Sequence, residues 1–327
     1  MKVLITGGTG SLGTELVRQL LEKRVPDTNG PMYTDKYLTT KPVERIAIYS
    51  RDEQKQEVMR QLFNNHPALR FFIGDVRDER RLELALSGID TVIHAAALKI
   101  VPKGEYDPSE FMKTNVNGTN NVIHACIRTG VKKAILASTD KAVNPVNLYG
   151  SSKLMAEKLF VAGNALSGSI GGRGCKFSVV RYGNVVNSRG SVIPLWRALA
   201  GQGKPLPITH SDMTRFWITL DQAADLVLSM IPVMKGGEIF VPKLPAFNLW
   251  DLAVAIGPNG SCDNIGIRPG EKIHEALISP DEARQTFLQG DLFIVHPPWD
   301  APVKPAFAYS SDMAEKLTVE ELRERLT

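Results

Sequence analysis

Cysteine is scarce in this 327-residue chain: there are three, Cys126, Cys175 and Cys262, far apart and without metal-ligand spacing. A scattered, odd set excludes a disulfide framework and a cysteine metal site, and it fits free thiols in a reducing compartment. Long apolar runs are also missing. The most apolar stretches are broken by His94 and Lys99, so no membrane span is expected. Charge of one sign is not in large excess. The formal net charge is +4, and Lys and Arg are spread along the chain rather than gathered into the stripe that nucleic-acid binding needs. No signal-peptide pattern precedes the strand that begins at Lys2, and the expectation is a cytoplasmic protein with no resident metal. What remains is ordinary for a globular chain, with 43% hydrophobic and 23% charged residues. The length provides a full core in one large domain or two coupled ones.

Lys2-Val-Leu-Ile-Thr6 reads as a short buried strand, followed by Gly7-Gly-Thr-Gly-Ser-Leu-Gly13 and an amphipathic helix from Thr14 to Lys23. Strand, glycine loop and helix form the context in which such glycines admit a dinucleotide pyrophosphate onto a helix N-terminus. Gly7, Thr9, Gly10, Ser11, Leu12 and Gly13 are the candidate phosphate-loop residues. Residues 24–42 are polar, without a clear period, and read as a surface insertion. The second strand, Arg45 to Tyr49, ends in Ser50-Arg51-Asp52-Glu53-Gln54-Lys55. An acid here would bind a ribose 2′-hydroxyl and an Arg a 2′-phosphate. Ser50 and Arg51 come first, with Lys55 a turn away, so the reading is NADP. Asp75 and Val76 follow the third strand, Arg70 to Gly74, where the adenine would lie. The fourth strand, Thr91 to Ala97, has small residues, Ala96 among them, that let a cofactor approach; His94 reads as a core histidine. Lys99 lies just beyond that strand end. A helix over Asn115 to Thr129, a fifth strand at Lys133 to Ala137 and a sixth at Phe177 to Tyr182 complete an alternation that specifies a doubly wound parallel sheet of the Rossmann type, class α/β.

The fifth strand opens the stretch that organises the rest, Leu136 to Lys153. It carries Thr139, Asp140 and Lys141, then Tyr149 and Lys153 at a spacing that puts them on one helix face. A Lys beside a phenol lowers the Tyr pKa, and such a Tyr can take a hydroxyl proton while a hydride leaves the same carbon. Asp140 and Lys141 add an acid and a second base, the latter if burial near Lys153 lowers its pKa. After the sixth strand the alternation breaks. A loop is expected over Ser188 to Pro194, a helix over Trp196 to Gly201, another over Leu220 to Met230, a strand at Glu238 to Val241, and a loop before a helix around Arg268 to His274. The expected division is a cofactor unit of residues 1–186, to which 220–243 return, and a smaller substrate unit of 187–219 and 244–327.

Thr6-Gly-Gly-Thr-Gly-Ser-Leu-Gly13, Ser138-Thr-Asp-Lys141 and Tyr149-x-x-x-Lys153 together resemble the extended short-chain dehydrogenase/reductases that modify nucleotide sugars. Tyr49-Ser-Arg-Asp-Glu53, Phe72-Ile-Gly-Asp-Val-Arg-Asp78, His94-Ala-Ala-Ala-Leu-Lys99, Asn144-Pro-Val-Asn-Leu-Tyr-Gly150, Arg181-Tyr-Gly-Asn-Val185, Met213-Thr-Arg-Phe-Trp217 and Gly266-Ile-Arg-Pro-Gly-Glu-Lys272 are similar, within that family, to the inverting UDP-N-acetylglucosamine 4,6-dehydratases of pseudaminic acid biosynthesis. The resemblance implies Asp140 as acid for the leaving 6-hydroxyl, Lys141 as base at C5, and Tyr149 with Lys153 as the redox pair. It implies Lys99, Asn184, Ser191, Val192, Arg215, Arg268 and Glu271 as contacts of the sugar and the uridine diphosphate, NADP retained through the cycle, and a homo-oligomer, often a hexamer. The alternatives left open are a 5-epimerase, a 4-reductase or a retaining dehydratase on the same fold, and a non-catalytic NADP-sensing regulator.

Overall fold

The computed structural model of the chain describes residues 1–22, 43–171, 174–186, 191–257, 262–300 and 307–326. The insertion expected at 24–42 lies outside the described residues. β1 (Lys2–Thr6), β2 (Arg45–Ser50), β3 (Leu69–Ile73), β4 (Thr91–His94), β5 (Lys133–Thr139) and β6 (Lys176–Tyr182) lie where the apolar runs predict them. Val3, Leu4, Ile5, Ile46, Ile48, Val92, Ile93 and Ile135 are all fully buried. Strands apolar on both faces need cover on both faces, which is why they pair in parallel between helical layers. The Ser11–Glu22 helix packs with the Leu220–Val233 helix in one layer, and the Glu79–Leu86, Gly118–Thr129 and Leu148–Ser167 helices pack together in the other.

The later strands are shorter: β7 (Leu206–Ile208), β8 (Thr214–Phe216), β9 (Ile239–Pro242), β10 (Ala246–Asn248), β11 (Cys262–Asn264), β12 (Ala276–Ile278), β13 (Thr286–Gln289), β14 (Leu292–Val295) and β15 (Tyr309–Ser310). Among the described residues the main sheet has the order β13-β14-β9-β6-β5-β4-β1-β2-β3. From β3 to β9 the pairing is parallel, and β14 and β13 then add antiparallel. The strand order reverses between β1 and β4, which places the ligand crevice of such a sheet at their carboxyl ends.

Three expectations are corrected. Residues 286–295, expected in the substrate unit, form a hairpin that extends the main sheet. The stretch expected as a loop to Pro194 is already helical from Val192. The loop around Arg268 leads into β12 before any helix. Outside the main sheet, Val186, Ile193, Trp196, Leu206, Met213, Trp217, Phe247 and Leu252 form a second core.

One buried ionic cluster joins the Leu148–Ser167 helix to the C-terminal part. Arg181 on β6 donates to both oxygens of Glu157 (3.0 and 2.6 Å), to both oxygens of Glu282 (3.0 and 2.8 Å) and to the Leu277 carbonyl (2.9 Å). The Arg181 side chain is wholly buried, and so nearly is that of Glu157. Removing one partner from such a cluster strands a buried charge, at about 3–5 kcal/mol. Arg181→Met should therefore lower unfolding stability by about that amount, measured by urea denaturation; a loss below about 1 kcal/mol would mean that the cluster is not holding the two parts together.

Candidate active site

The glycine loop closes because no side chain fits in it. Gly7 has φ +66°, and a Cβ there would lie 2.8 Å from the Ala96 backbone at the β4 end. A Cβ at Gly13 would meet the Gly8 backbone at 2.4 Å, so the helix can pack against the loop only as glycine. Thr9, Gly10, Ser11 and Leu12 complete the turn into the Ser11–Glu22 helix. His94 is a satisfied core residue, as expected: its ring nitrogens lie 2.6 Å from Thr6 Oγ1 and 3.1 Å from Thr119 Oγ1. Burial, then the Lys153 charge, push its pKa down to about 3, so it stays neutral.

At the β2 end, Asp52 is already engaged. It caps the Glu53–Leu62 helix through the Lys55 amide and pairs with the Lys55 ammonium at 2.7 Å. Lys55 is thus turned to Asp52, whereas Arg51 is more than half exposed and 3.5 Å from Asp75. Ser50 is buried and accepts a hydrogen bond from Gln56. Val76 is buried beneath the Asp75 turn. These residues fit a dinucleotide: an open glycine cradle, an exposed guanidinium at the ribose end and the small residues Ala95 to Ala97 just after β4.

The Asn147-capped Leu148–Ser167 helix places Tyr149 and Lys153 on its buried side, and Lys153 Nζ donates to the Ala137 carbonyl at 2.8 Å. Burial lowers the Lys153 pKa to about 8, with Glu157 working against it. The expected lowering of Tyr149 is not found. Burial pushes the phenol up to about 12, and the first cation to act against this is Lys141 rather than Lys153.

Asp140 is fully buried. Its Oδ1 accepts from Thr139 Oγ1 at 2.9 Å and from Lys141 Nζ at 3.0 Å, while Oδ2 is buried without a partner. Burial raises the Asp140 pKa, Lys141 opposes this and Glu275 adds to it. Lys141 differs from the expectation. Burial alone would lower its pKa, but Asp140 and Glu275 at 3.2 Å together raise it. In this state Lys141 is an ammonium between two carboxylates.

The remaining predicted residues divide. Asn184 Oδ1 and Ser191 Oγ are buried without partners, as polar groups reserved for a ligand would be. Val192 is the first residue of the helix that Ser191 precedes. Burial, and after it the Lys141 charge, lowers the Lys99 pKa. Arg215 is spent on the Thr214, Lys272 and Ile273 carbonyls. Arg268 and Glu271 face each other at 3.8 Å. Sequence reasoning missed Glu275, three residues past the Gly-Glu-Lys motif, and Ser138, whose Oγ is a further buried orphan. The acid next to His274 was a visible signal for the first.

A family model described as "Polysaccharide biosynthesis protein" matches residues 3–297. The chain belongs to this family. It is 50% identical over 296 residues, covering 90% of this chain and 82% of the relative, to a Campylobacter jejuni protein named "UDP-N-acetylglucosamine 4,6-dehydratase (inverting)". It is 44% identical over 284 residues, 86% of this chain and 78% of the relative, to a Rickettsia felis protein named "UDP-glucose 4-epimerase". The crystal structure of Pen from Bacillus thuringiensis is 36% identical with a TM-score of 0.86, covering 99% of this chain and 97% of that one. The family match runs through every strand of the main sheet, the 286–295 hairpin included. Among the described residues no helix is long and apolar enough to cross a membrane, and no acid, His and Cys cluster could hold a metal.

Lys153 supplies a test that needs no substrate. Its folded pKa of about 8 lies below the ordinary lysine value of 10.5. Between these values the unfolded chain binds more protons, so stability rises with pH through this window. At neutral pH the cost is on the order of 3 kcal/mol, less about 1 kcal/mol from the hydrogen bond to Ala137. Lys153→Met in cofactor-free protein should be more stable by about 2 kcal/mol near pH 7, and the gain should vanish by about pH 10. Denaturation midpoints across that range check it; a variant no more stable at neutral pH contradicts the described desolvation.

Proposed function

We propose that the chain is a nucleotide-sugar 4,6-dehydratase that acts on UDP-N-acetylglucosamine with inversion at C5. The observation that carries this is the Asp140–Lys141 pair, a buried acid with one free oxygen and an amine, beside Tyr149 at the end of β5. The 50% identical Campylobacter relative bears the name of that activity. Tyr149 takes the 4-hydroxyl proton, helped by the Lys141 charge, and Lys153 stays on the same helix face. A bound nicotinamide supplies the hydride acceptor for C4 and the hydride donor for C6. The C4 ketone acidifies C5–H. Lys141 removes that proton as a neutral amine, and protonated Asp140 releases the 6-hydroxyl as water. A proton shift from Lys141 to Asp140 along their 3.0 Å contact yields both active forms at once. Thr139 fixes the Asp140 carboxyl. Asn184, Ser191 and Val192 are assigned to the sugar and diphosphate, with Lys99, Arg268 and Glu271 at the rim and Arg215 holding the 268–275 loop. Assembly as a homo-oligomer, a hexamer by the family resemblance, belongs to the same reading.

The Rickettsia relative's name raises 4-epimerisation as a second reading. That reaction needs a hydride acceptor and one base at the 4-hydroxyl. It leaves unexplained a buried acid and a second amine, which water loss requires.

The cofactor is assigned as NADP, since Arg51 is available to a 2′-phosphate and Asp52 is committed to its own helix. A charge-assisted bidentate contact is worth about 1.5–3 kcal/mol. Arg51→Ala should weaken NADP by roughly tenfold or more while barely changing NAD, read by calorimetry on apo-protein. Equal losses for the two remove Arg51 from phosphate recognition.

The function itself is tested with UDP-N-acetylglucosamine in D₂O, followed by proton NMR. The expected product has deuterium at C5, a 6-methyl group carrying the hydrogen from C4, and couplings for inverted C5. Retained configuration with the same labels sinks the inversion alone. A bound substrate that yields no 6-methyl signal sinks the dehydratase.

A further inference from the structure

Glu275 belongs to the segment leading into β12, far in sequence from the Thr-Asp-Lys motif. It is 2% exposed, and a carboxylate so buried must be paired to remain ionised. Its Oε1 lies 3.2 Å from Lys141 Nζ, and its Oε2, which accepts no hydrogen bond, lies 3.4 Å from Lys272 Nζ. Lys272 in turn donates to the Val143 carbonyl at 2.6 Å, and Asn147 donates to the Gly270 carbonyl at 2.8 Å. The 268–275 loop is thereby fastened to the segment after Lys141. The charges of Lys141, Arg215 and Lys272 together keep the Glu275 carboxylate ionised despite its burial.

We propose that Glu275 is a positioning residue for water loss: it holds Lys141 through a second carboxylate contact besides Asp140 and balances the positive charge that Lys141 acquires. This rests on the dehydratase reading above. In that step the Lys141 lone pair takes the C5 proton. The C5–H electron pair becomes the second bond between C5 and C6. The C6–O bond breaks, and the Asp140 proton leaves with the hydroxyl as water. Lys141 ends as an ammonium and Asp140 as a carboxylate, with no net change in charge. The arrangement in the structure, an ammonium 3.0 Å from Asp140 and 3.2 Å from Glu275, is the charge state that this step produces. Glu275 therefore stabilises the outcome of C5 deprotonation. It has no such part in C4 oxidation, in which Lys141 does not change charge. A purely structural acid would affect both stages alike.

The test separates the stages in a single turnover of the holoenzyme with UDP-N-acetylglucosamine. Reduced nicotinamide is followed by its near-ultraviolet absorbance, and water loss by the 6-methyl signal. Glu275→Gln keeps the shape and removes the charge. The expected result is C4 oxidation within about twofold of wild type and water loss slowed by about ten- to a hundredfold, the scale of a 1.4–2.7 kcal/mol electrostatic loss, with reduced nicotinamide accumulating. Lys272 loses its partner in that variant, so Lys272→Met/Glu275→Gln is measured beside it; removing both charges restores the balance of the loop, and the same split is expected. Water loss unchanged in either folded variant, or both stages slowed in parallel, overturns the role of Glu275 while leaving the dehydratase intact. A wild-type protein that oxidises C4 and releases no water overturns the dehydratase reading and this proposal with it.

Discussion

The site depends on one amine held between two buried carboxylates. Lys141 pairs with Asp140 and Glu275 where little water reaches, and each of the three has its ionisation set by the other two. Burial alone would neutralise all three groups. Together Lys141 and Glu275 remain charged, because each offsets the cost of burying the other, whereas the Asp140 pKa stays raised by burial and by Glu275 against the pull of Lys141. The same proximity makes the pair of neutral forms accessible, since one proton moved along one short contact converts ion pair into acid and amine. A lone buried carboxyl could serve only as an acid, and a lone buried lysine only as a base. Held in contact they exchange roles without drawing a proton from solvent.

That arrangement needs two parts of the chain to be fixed against each other. Asp140 and Lys141 leave the carboxyl end of β5, and Glu275 arrives from the C-terminal part. The Arg181 cluster is what joins them at depth, since Arg181 on β6 reaches Glu157 on the Leu148–Ser167 helix and Glu282 beyond β12. Arg suits this position because its planar donors satisfy two carboxylates and a carbonyl at once. Lys153 illustrates the opposite balance. It is buried with one carboxylate, Glu157, and one carbonyl, Ala137, only partly offsetting its desolvation, so the fold carries a cost at the site where an easily perturbed amine is useful.

The parallel sheet was legible because β1, β2, β4, β5 and β6 are apolar on both faces and interrupted by helices of regular period. The glycine loop was legible because its context, strand before and helix after, is local. The hairpin at 286–295 was missed although Gly290-Asp291 separates two short apolar runs, a two-residue turn signal, and Gly290 has φ +61°. Four-residue strands carry too little alternation to compete with the expectation of a separate unit. The start of the helix at Val192 is hidden in the sequence by Pro194, a loop signal that here sits in the first turn, where a missing N–H costs nothing. Asp140, Lys141, Tyr149 and Lys153 could be found because they lie within fourteen residues of one another. Glu275 could not be placed, since pairing across more than a hundred residues leaves no periodic trace.

The difference between local and distant parts bears on how one fold serves several sugar reactions. The elements assigned to hydride chemistry, the glycine loop, the sheet edge and the Leu148–Ser167 helix, all fold together around one core. In the proposed mechanism the proton chemistry at C5 and C6 draws on Lys141 and on a carboxylate delivered by a separate loop. A change in that loop can alter the charge available to Lys141 without disturbing the strands that position the cofactor. The Tyr149 phenol, also in contact with the Lys141 field, links the two sets. The amine that would deprotonate C5 is the same cation that favours phenolate at C4, and Glu275 acts on the phenol in the opposite sense, so a change at Glu275 reaches the redox group both through Lys141 and directly.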